Sequence, residues 1–374
     1  EILSGLVGSE MCIRDSGNCV HGACKNTRKP LTSTGKNNMK AIAYKHALPI
    51  KDEQSLIDVS LPDPIAKGHD LLVEVKAISV NPVDVKVRSS ANPPDGEYKV
   101  IGWDAAGIVR AVGDAVTLFK PGDRVYYAGS IARPGTNSEL HLVDEFITGH
   151  MPTSLDFAQA AALPLTAITA WELLFERLEV KADSKEAILI IGAAGGVGSI
   201  LVQLARQLTG LTVIGTASRP QTQQWVRELG AHHVIDHSKP LSQELKNIGI
   251  ENVKYVASLN QTDQHFAEIV ESIAPQGKLA LIDDPVALDC RLLKRKSISL
   301  HWEFMFTRAL FSTDDMHKQH ELLNEVARLV DAGTLKTTIA EHFGTINAEN
   351  LRRAHALLES NASKGKIVLE GFLK

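Results

Sequence analysis

The chain has 374 residues, 44% of them hydrophobic and 22% charged, a globular composition with room for two domains. Lys and Arg total 40 against 44 Asp and Glu, so the net charge of −4 at pH 7 gives no electrostatic attraction to nucleic acid or to an anionic membrane. The strongest apolar run, residues 187–191, is far shorter than the ~20 residues that span a bilayer. We therefore expect neither a nucleic-acid nor a membrane partner.

Residues 1–38 differ from the rest because they show no hydrophobic periodicity, whereas Met39 begins a run typical of a chain start followed by a strand. A signal peptide does not fit, since the apolar run at 2–7 is too short and acidic residues flank it. We predict that residues 1–38 are disordered and not native.

The cysteines divide in the same way. Cys12, Cys19 and Cys24 lie in the first segment, where zinc binding would need a fourth ligand such as His21. Cys290 is the one cysteine of the remaining sequence, so no disulfide framework is possible there, which favours a cytoplasmic protein.

From Met39 to Thr148, short alternating apolar runs such as 71–75 and 105–112 are broken by Gly and Pro, and they predict a mostly β region. From about Asp156 the pattern predicts a helix over 157–175, a strand over 187–191 and a helix over 198–208. Further strands are predicted at 211–215, 233–235, 254–258, 278–282 and 297–300. Strands alternating with helices indicate a doubly wound parallel sheet of the Rossmann type. A helix over 315–332 and a strand over 366–370 follow, and we expect this tail to rejoin the first domain.

The most informative stretch is a buried strand that runs into a glycine turn and opens a helix. Its turn consists of Gly192, Ala193, Ala194, Gly195, Gly196, Val197 and Gly198. Small residues let the backbone approach a pyrophosphate, whose charge is met by free N–H groups at the helix start. Ala193 occupies the first glycine position of the G-x-G-x-x-G fingerprint, but the strand and helix around it predict dinucleotide binding.

The end of the next strand predicts which dinucleotide is bound. An acidic residue there would bind the ribose hydroxyl of NAD, but residues 215–220 contain none and offer Ser218 and Arg219 instead. The guanidinium fork suits a 2′-phosphate, so we predict NADP(H); an ordinary exposed arginine is the alternative. Ile282, at the end of a later strand, is expected to border the same cofactor.

Several motifs in this order resemble the medium-chain dehydrogenase/reductase superfamily, in particular its quinone oxidoreductase and zinc-type alcohol dehydrogenase-like branches. They are Asn-Pro-Val-Asp at 81–84, Gly-Trp-Asp-Ala-Ala-Gly at 102–107, Gly-Asp at 113–114, Lys-Pro-Gly-Asp-Arg-Val at 120–125, residues 164–171 and the glycine turn. The resemblance implies a mostly β, GroES-like catalytic domain at 39–160 and 308–374, with the NADP-binding Rossmann domain at 161–307 inserted in it and the active site between them.

The resemblance also implies where a catalytic zinc would be bound. The family's zinc enzymes carry Cys at the position of Asn81, His at that of Trp103, and a third ligand near Pro164 or Leu165. None of these residues here is a zinc ligand, and no cysteine lies between Tyr127 and Thr148 where the family's structural zinc lobe would be. We therefore expect no metal, and reduction of a quinone or an α,β-unsaturated carbonyl, because a primary alcohol is oxidised readily only when a Lewis acid stabilises its alkoxide.

The resemblance assigns further residues to the cleft. The Asn81 amide would donate to the substrate oxygen or, alternatively, Asn81 is a turn residue before Pro82. Asp84 would line the cleft or, alternatively, pair with Lys86 or Arg88. Asp104 carries the same two interpretations. Thr169 would pack on the nicotinamide or, alternatively, be a buried helix threonine.

Trp103 and Tyr127, or Tyr126, would face the substrate, the tyrosine as a proton donor, with plain packing as the alternative. The aromatic run 301–306 would form a pocket wall or a homodimer interface. Two other functions stay open: a zinc-dependent alcohol dehydrogenase, and a non-catalytic NADPH-binding protein like some crystallins of the family.

Overall fold

The structure, a computed structural model, describes residues 38–372. The prediction for residues 1–38 therefore lies outside the described part, except for Asn38, which begins the first strand. The first region of the described chain is mostly β, as predicted. Its elements are β1 (Asn38–Tyr44), β2 (Ile57–Pro62), β3 (Asp70–Val80), α1 (Pro82–Ser90), β4 (Lys99–Val100), β5 (Ala105–Val112), β6 (Arg124–Tyr127), β7 (Leu140–Asp144) and β8 (Thr148–His150).

Strand β3 organises this region. Leu71, Val73 and Val75 point to the buried face and alternate with residues that are partly exposed, as expected of a strand with one face in the core. It pairs antiparallel with β5 and β7. Its last residue, Val80, leads directly into α1, so Asn81 lies at a junction between sheet and helix.

The helix predicted over 157–175 is divided in the structure. It consists of α2 (Phe157–Ala161), α3 (Pro164–Trp171) and a π-helical turn at Glu172–Arg177. The break precedes Pro164, because proline lacks an N–H and its ring would clash with the carbonyl of the residue four positions earlier.

The same segment corrects the expectation about apolar length. Phe157–Arg177 is long and apolar enough to cross a membrane, but 83% of its most apolar window is buried inside the protein. That burial is typical of a core helix. This finding applies to residues 38–372.

The cofactor region alternates strands and helices. Its elements are β9 (Ala187–Ile191), α4 (Gly196–Leu208), β10 (Thr212–Thr216), α5 (Pro220–Glu228), β11 (His233–Ile235), α6 (Leu241–Asn247), β12 (Val253–Ser258), α7 (Thr262–Ser272), β13 (Ile273–Leu281) and β14 (Ser299–Trp302). The strands form a parallel sheet in the order β11-β10-β9-β12-β13-β14. This is the doubly wound Rossmann order, in which ligands bind at the carboxyl ends of the strands where the order reverses, between β9 and β12.

The tail rejoins the first region. It contains α8 (Thr307–Phe311), α9 (Lys318–Asp331), β15 (Ile339–His342), α10 (Ala348–Glu359) and β16 (Lys366–Glu370). Strand β16 pairs antiparallel with β3, where Ile367 lies opposite Val80. The predicted fold class, a Rossmann sheet inserted in a mostly β domain, is confirmed, while the boundaries at 160 and 307 stay predictions.

Candidate dinucleotide turn and active-site cleft

The glycine turn joins β9 to α4 at the carboxyl edge of the parallel sheet. Gly192 has φ +82°, and a Cβ there would lie 2.7 Å from Asn260 Oδ1. At Gly198 a Cβ would lie 2.4 Å from the Gly192 carbonyl oxygen. Both positions require glycine because the turn closes tightly on itself.

The turn presents its open side at the start of α4. Gly195 is exposed and precedes the helix as its N-cap residue, with no side chain capping the first N–H groups. Gly196 and Val197 follow, and Ala194 accepts a 2.8 Å hydrogen bond from the Gly365 N–H. Free N–H groups at the start of a 13-residue helix fit a diphosphate.

The adenosine end of the candidate site lies beyond β10. Ser218 and Arg219 are exposed, and Arg219 Nη1 donates to the Ala362 carbonyl at 3.0 Å. His237, which the sequence interpretation missed, lies 3.2 Å from Thr216 Oγ1 through Nδ1. Its place just after β11 was the available signal, since ligands gather at the carboxyl ends of parallel strands. Ile282 directly follows β13 and is partly buried at the same edge.

Thr169 lies inside α3. It is buried, and its hydroxyl donates to the Leu165 carbonyl at 2.8 Å. This bond is the usual one for a threonine in the middle of a helix. The alternative interpretation of Thr169, a buried helix threonine, therefore accounts for its contacts.

Asn81 belongs to a buried polar cluster, which we define as Asn81, Asp104 and Lys366. The Asn81 Nδ2 group donates to Asp104 Oδ2 at 2.8 Å and to the Trp103 carbonyl at 3.2 Å. Its Oδ1 accepts from Lys366 Nζ. Both amide hydrogens of Asn81 are therefore engaged within the protein, and its donation to a substrate oxygen stays a prediction.

Asp84 forms neither of the ion pairs offered as alternatives. Its Oδ2 accepts the Asn81 backbone N–H at 2.6 Å, while Lys86 pairs with Asp284 and Arg88 with Glu359. Burial raises the pKa of the Asp84 carboxyl to about 7, against the lowering effect of its hydrogen bond from Asn81. Asp104 pairs with Lys366 at 3.0 Å, and burial likewise raises the pKa of Asp104.

Trp103 and Tyr127 are packed in the core and do not line an open cleft. The Trp103 indole N–H donates to the Ser130 carbonyl at 3.1 Å, and its ring meets Phe306 edge-on at 6.1 Å. The Tyr127 hydroxyl lies 3.1 Å from His141 Nδ1, and burial raises its pKa. Tyr126 is equally buried, and its hydroxyl donates to the Leu323 carbonyl. Plain packing, the alternative interpretation, accounts for the contacts of both phenols, and proton donation to a substrate stays a prediction.

The residues at the zinc positions do not fit a zinc ion. Asn81 offers an amide already engaged by Lys366, Trp103 an indole N–H donor, and Leu165 an aliphatic side chain, whereas zinc needs thiolate, imidazole or carboxylate ligands. The Lys366 ammonium would repel a cation placed beside it. Among residues 38–372, no group of three or more His, Cys, Asp or Glu side chains could hold a metal.

Comparison with known proteins gives two family matches and close full-length relatives. Residues 67–151 match the alcohol dehydrogenase GroES-like domain, and residues 229–369 match the zinc-binding dehydrogenase family. A "Zinc-type alcohol dehydrogenase-like protein" of Staphylococcus epidermidis is 40% identical over 339 residues, 88% of this chain and 99% of the relative.

Two solved structures extend the comparison. A candidate zinc-dependent alcohol dehydrogenase protein from Rhizobium etli CFN 42 is 60% identical, with a TM-score of 0.87 over 90% of this chain and 99% of that one. Escherichia coli quinone oxidoreductase complexed with NADPH is 27% identical, with a TM-score of 0.75 over 88% of this chain and 99% of that one.

Proposed function

The chain belongs to the medium-chain dehydrogenase/reductase superfamily, in its zinc-type alcohol dehydrogenase-like and quinone oxidoreductase branch, and from this premise we propose that it reduces quinones or α,β-unsaturated carbonyls with NADPH and without catalytic zinc. The superfamily makes the chain an oxidoreductase with a nicotinamide cofactor. The donor, the acceptor and the absence of zinc are our proposal.

The glycine turn carries this proposal. Gly192 and Gly198 close the turn so tightly that larger side chains would overlap neighbouring atoms, and Gly195 leaves the start of α4 open for a diphosphate. No acidic residue follows β10 to bind a ribose hydroxyl, and Arg219 stands exposed there. A guanidinium at this place favours the 2′-phosphate of NADPH.

The residues of the cleft favour an acceptor that needs no Lewis acid. When bound, the nicotinamide supplies a hydride, and the protein binds, orients and excludes water. A primary alcohol is oxidised readily only when a Lewis acid stabilises its alkoxide. A quinone or enone instead takes hydride at carbon and spreads the resulting negative charge, so hydrogen bonds can stabilise the product anion.

The test is steady-state oxidation of NADPH by the purified protein with a panel of quinones and enones. We expect turnover with at least one acceptor and a clear preference for NADPH over NADH. The matched control is Gly195→Ala, which blocks the pyrophosphate and abolishes turnover with every acceptor. Tight NADPH binding without turnover on any acceptor would instead support a non-catalytic binding role.

The names of the relatives favour one rival, a zinc-dependent alcohol dehydrogenase. Metal analysis of the purified protein separates the two functions. We expect well under one zinc per chain and activity that survives a chelator. One zinc per chain, lost together with alcohol oxidation on chelation, would establish the rival.

A further inference from the structure

Lys366 is a charged residue buried where the two regions of the chain meet. Its side chain is 3% exposed and that of its partner Asp104 is fully buried. Nζ donates to the Val80 carbonyl at 3.0 Å, to Asp104 Oδ2 at 3.0 Å and to Asn81 Oδ1. Three acceptors satisfy the three N–H bonds of an ammonium, so this geometry fits a protonated lysine.

The ion pair joins segments that are distant in sequence. Asp104 Oδ2 accepts from Asn81, at the end of β3, and its Oδ1 accepts the backbone N–H of Leu165 at 2.8 Å. Leu165 lies in the first turn of α3, the helix that leads into the cofactor region. Asn81 and Leu165, together with Trp103 beside Asp104, are the positions at which the resemblance implies zinc ligands.

The same lysine contacts the glycine turn. Gly365, its neighbour, donates its N–H to the Ala194 carbonyl at 2.8 Å. A Cβ built on Gly196 would lie 2.9 Å from Lys366 Cδ. The side chain therefore runs past the start of α4 with its stem and reaches Asn81 with its ammonium.

A buried ion pair is weak evidence for stability, because desolvation offsets the attraction and apolar replacements often pack equally well. Stability alone therefore does not account for this pair. We propose that Lys366 is a positioning residue of the active site: its ammonium, paired with Asp104, cross-links the zinc-ligand positions of the fold in place of a metal and holds them against the glycine turn. Small misplacements of a reacting group lower the rate of transfer strongly.

The inference rests on the proposed function in that the cross-link serves hydride transfer from a bound dinucleotide. Its test compares Lys366→Met, Asp104→Asn and the double variant with the wild-type protein. Each single variant leaves one buried charge without its counter-charge and is expected to lower the Tm, whereas the double variant removes both charges and is expected to recover most of that loss. The Kd for NADPH and kcat are then measured on the double variant.

A positioning role predicts that the double variant regains stability but not turnover. We expect kcat at least ~10-fold below wild type, equivalent to ~1.4 kcal/mol, with the Kd for NADPH changed less than ~3-fold. Recovery of both Tm and kcat would reduce the pair to a structural contact and overturn the proposal. The control is the double variant Lys278→Met/Glu179→Gln, which removes a more exposed ion pair and should leave kcat unchanged.

Hydrogen exchange provides a second test that needs neither an acceptor nor a stable variant. Because Lys366 links the glycine turn to Asn81 and Asp104, NADPH should slow amide exchange at 79–84 and 103–105 as well as at 192–198 in the wild-type protein. Protection confined to 192–198 would overturn the inference. NADPH binding without quinone reduction would overturn only the proposed acceptor, whereas no NADPH binding would overturn both.

Discussion

Arg219 is the residue on which the proposed preference for NADPH over NADH rests. Its guanidinium is exposed just after β10, held by one hydrogen bond to the Ala362 carbonyl. We expect Arg219→Ala to weaken NADPH binding at least ~10-fold, about 1.4 kcal/mol, and to leave NADH binding little changed, because NADH has no 2′-phosphate. Fluorescence titration with both nucleotides measures this.

Arg227→Ala is the matched control, since Arg227 is also exposed and lies near the end of α5. It should leave both affinities unchanged. Equal losses of affinity for NADPH and NADH in Arg219→Ala would show that Arg219 does not bind the 2′-phosphate.

His355 presents a stability prediction at the same scale. It is fully buried, both ring nitrogens lack a hydrogen-bond partner, and burial, with Arg88 nearby, lowers its pKa to about 3. Since the unfolded histidine takes up a proton near pH 6.5 and the folded one does not, His355 destabilises the fold increasingly as pH falls below that value. We expect His355→Leu to raise the free energy of unfolding by about 1–3 kcal/mol at pH 7.

The gain from His355→Leu should grow between pH 6.5 and pH 4. Urea unfolding of the wild type and the variant at several pH values measures it. A constant or shrinking difference would show that His355 has a partner or a protonated state in the folded protein.

Residue roles divide sharply in how well the sequence predicts them. The glycine turn could be predicted because its cause is local: the glycines lie in one short turn between a strand and a helix. Lys366 was missed because its contact with Asn81 spans 285 positions, and no spacing in the sequence announces it. The partners of Asn81 could not be predicted for the same reason, because Asp104 and Lys366 lie outside its own segment.

Among the elements, the glycine turn gives a prediction that separates folding from binding. The nearest atom to a Cβ built on Gly195 would be the Gly192 carbonyl oxygen, at 3.4 Å. A Cβ built on Gly198 would lie only 2.4 Å from that same oxygen. We expect Gly195→Ala to keep its Tm within a few degrees and to lose NADPH binding, because the methyl group lies where the pyrophosphate approaches. Gly198→Ala should lower the Tm as well, because the turn itself must open.

Thermal unfolding and NADPH titration of the two variants, side by side, test this pair. Normal NADPH affinity in Gly195→Ala would show that the diphosphate does not bind at the turn. An unchanged Tm in Gly198→Ala would contradict the tight closure.

Strands were easier to predict than helix boundaries. Strands 187–191, 233–235 and 366–370 agree with the structure to the residue because a buried apolar run is bounded by polar or glycine residues. The helix predicted over 157–175 is divided in the structure. Apolar periodicity continues across Ala162 and Leu163, but Pro164 interrupts the backbone hydrogen bonds. Hydrophobic periodicity indicates which side chains are buried, and it does not indicate where the backbone leaves the helical conformation.

At the scale of the whole molecule, the fold class followed from the order of elements, but the packing of the aromatic run 301–306 did not. Met305 and Phe306 are buried, whereas Trp302 and Phe304 are about half exposed. The run therefore combines core residues with an apolar surface. Which residues face outward depends on the path of the chain after β14, which a short apolar run cannot specify.

That surface predicts the oligomeric state. Among the described strands, β14 closes one edge of the parallel sheet and pairs only with β13. An unprotected sheet edge beside exposed aromatic side chains is a candidate site for contact with another chain. We propose that a second copy pairs with β14, and that the protein has about twice the 40.6 kDa mass of one chain.

Light scattering coupled to size-exclusion chromatography measures this mass. Trp302→Glu places a charge in the proposed interface and should shift the protein to the monomer, because a buried unpaired carboxylate is strongly unfavourable. Ile65→Glu is the control, since Ile65 is 74% exposed in the first region of the chain and should leave the mass unchanged. A wild-type protein that is monomeric at all concentrations would contradict the proposed dimer. A dimer that persists in Trp302→Glu would show that the contact lies elsewhere.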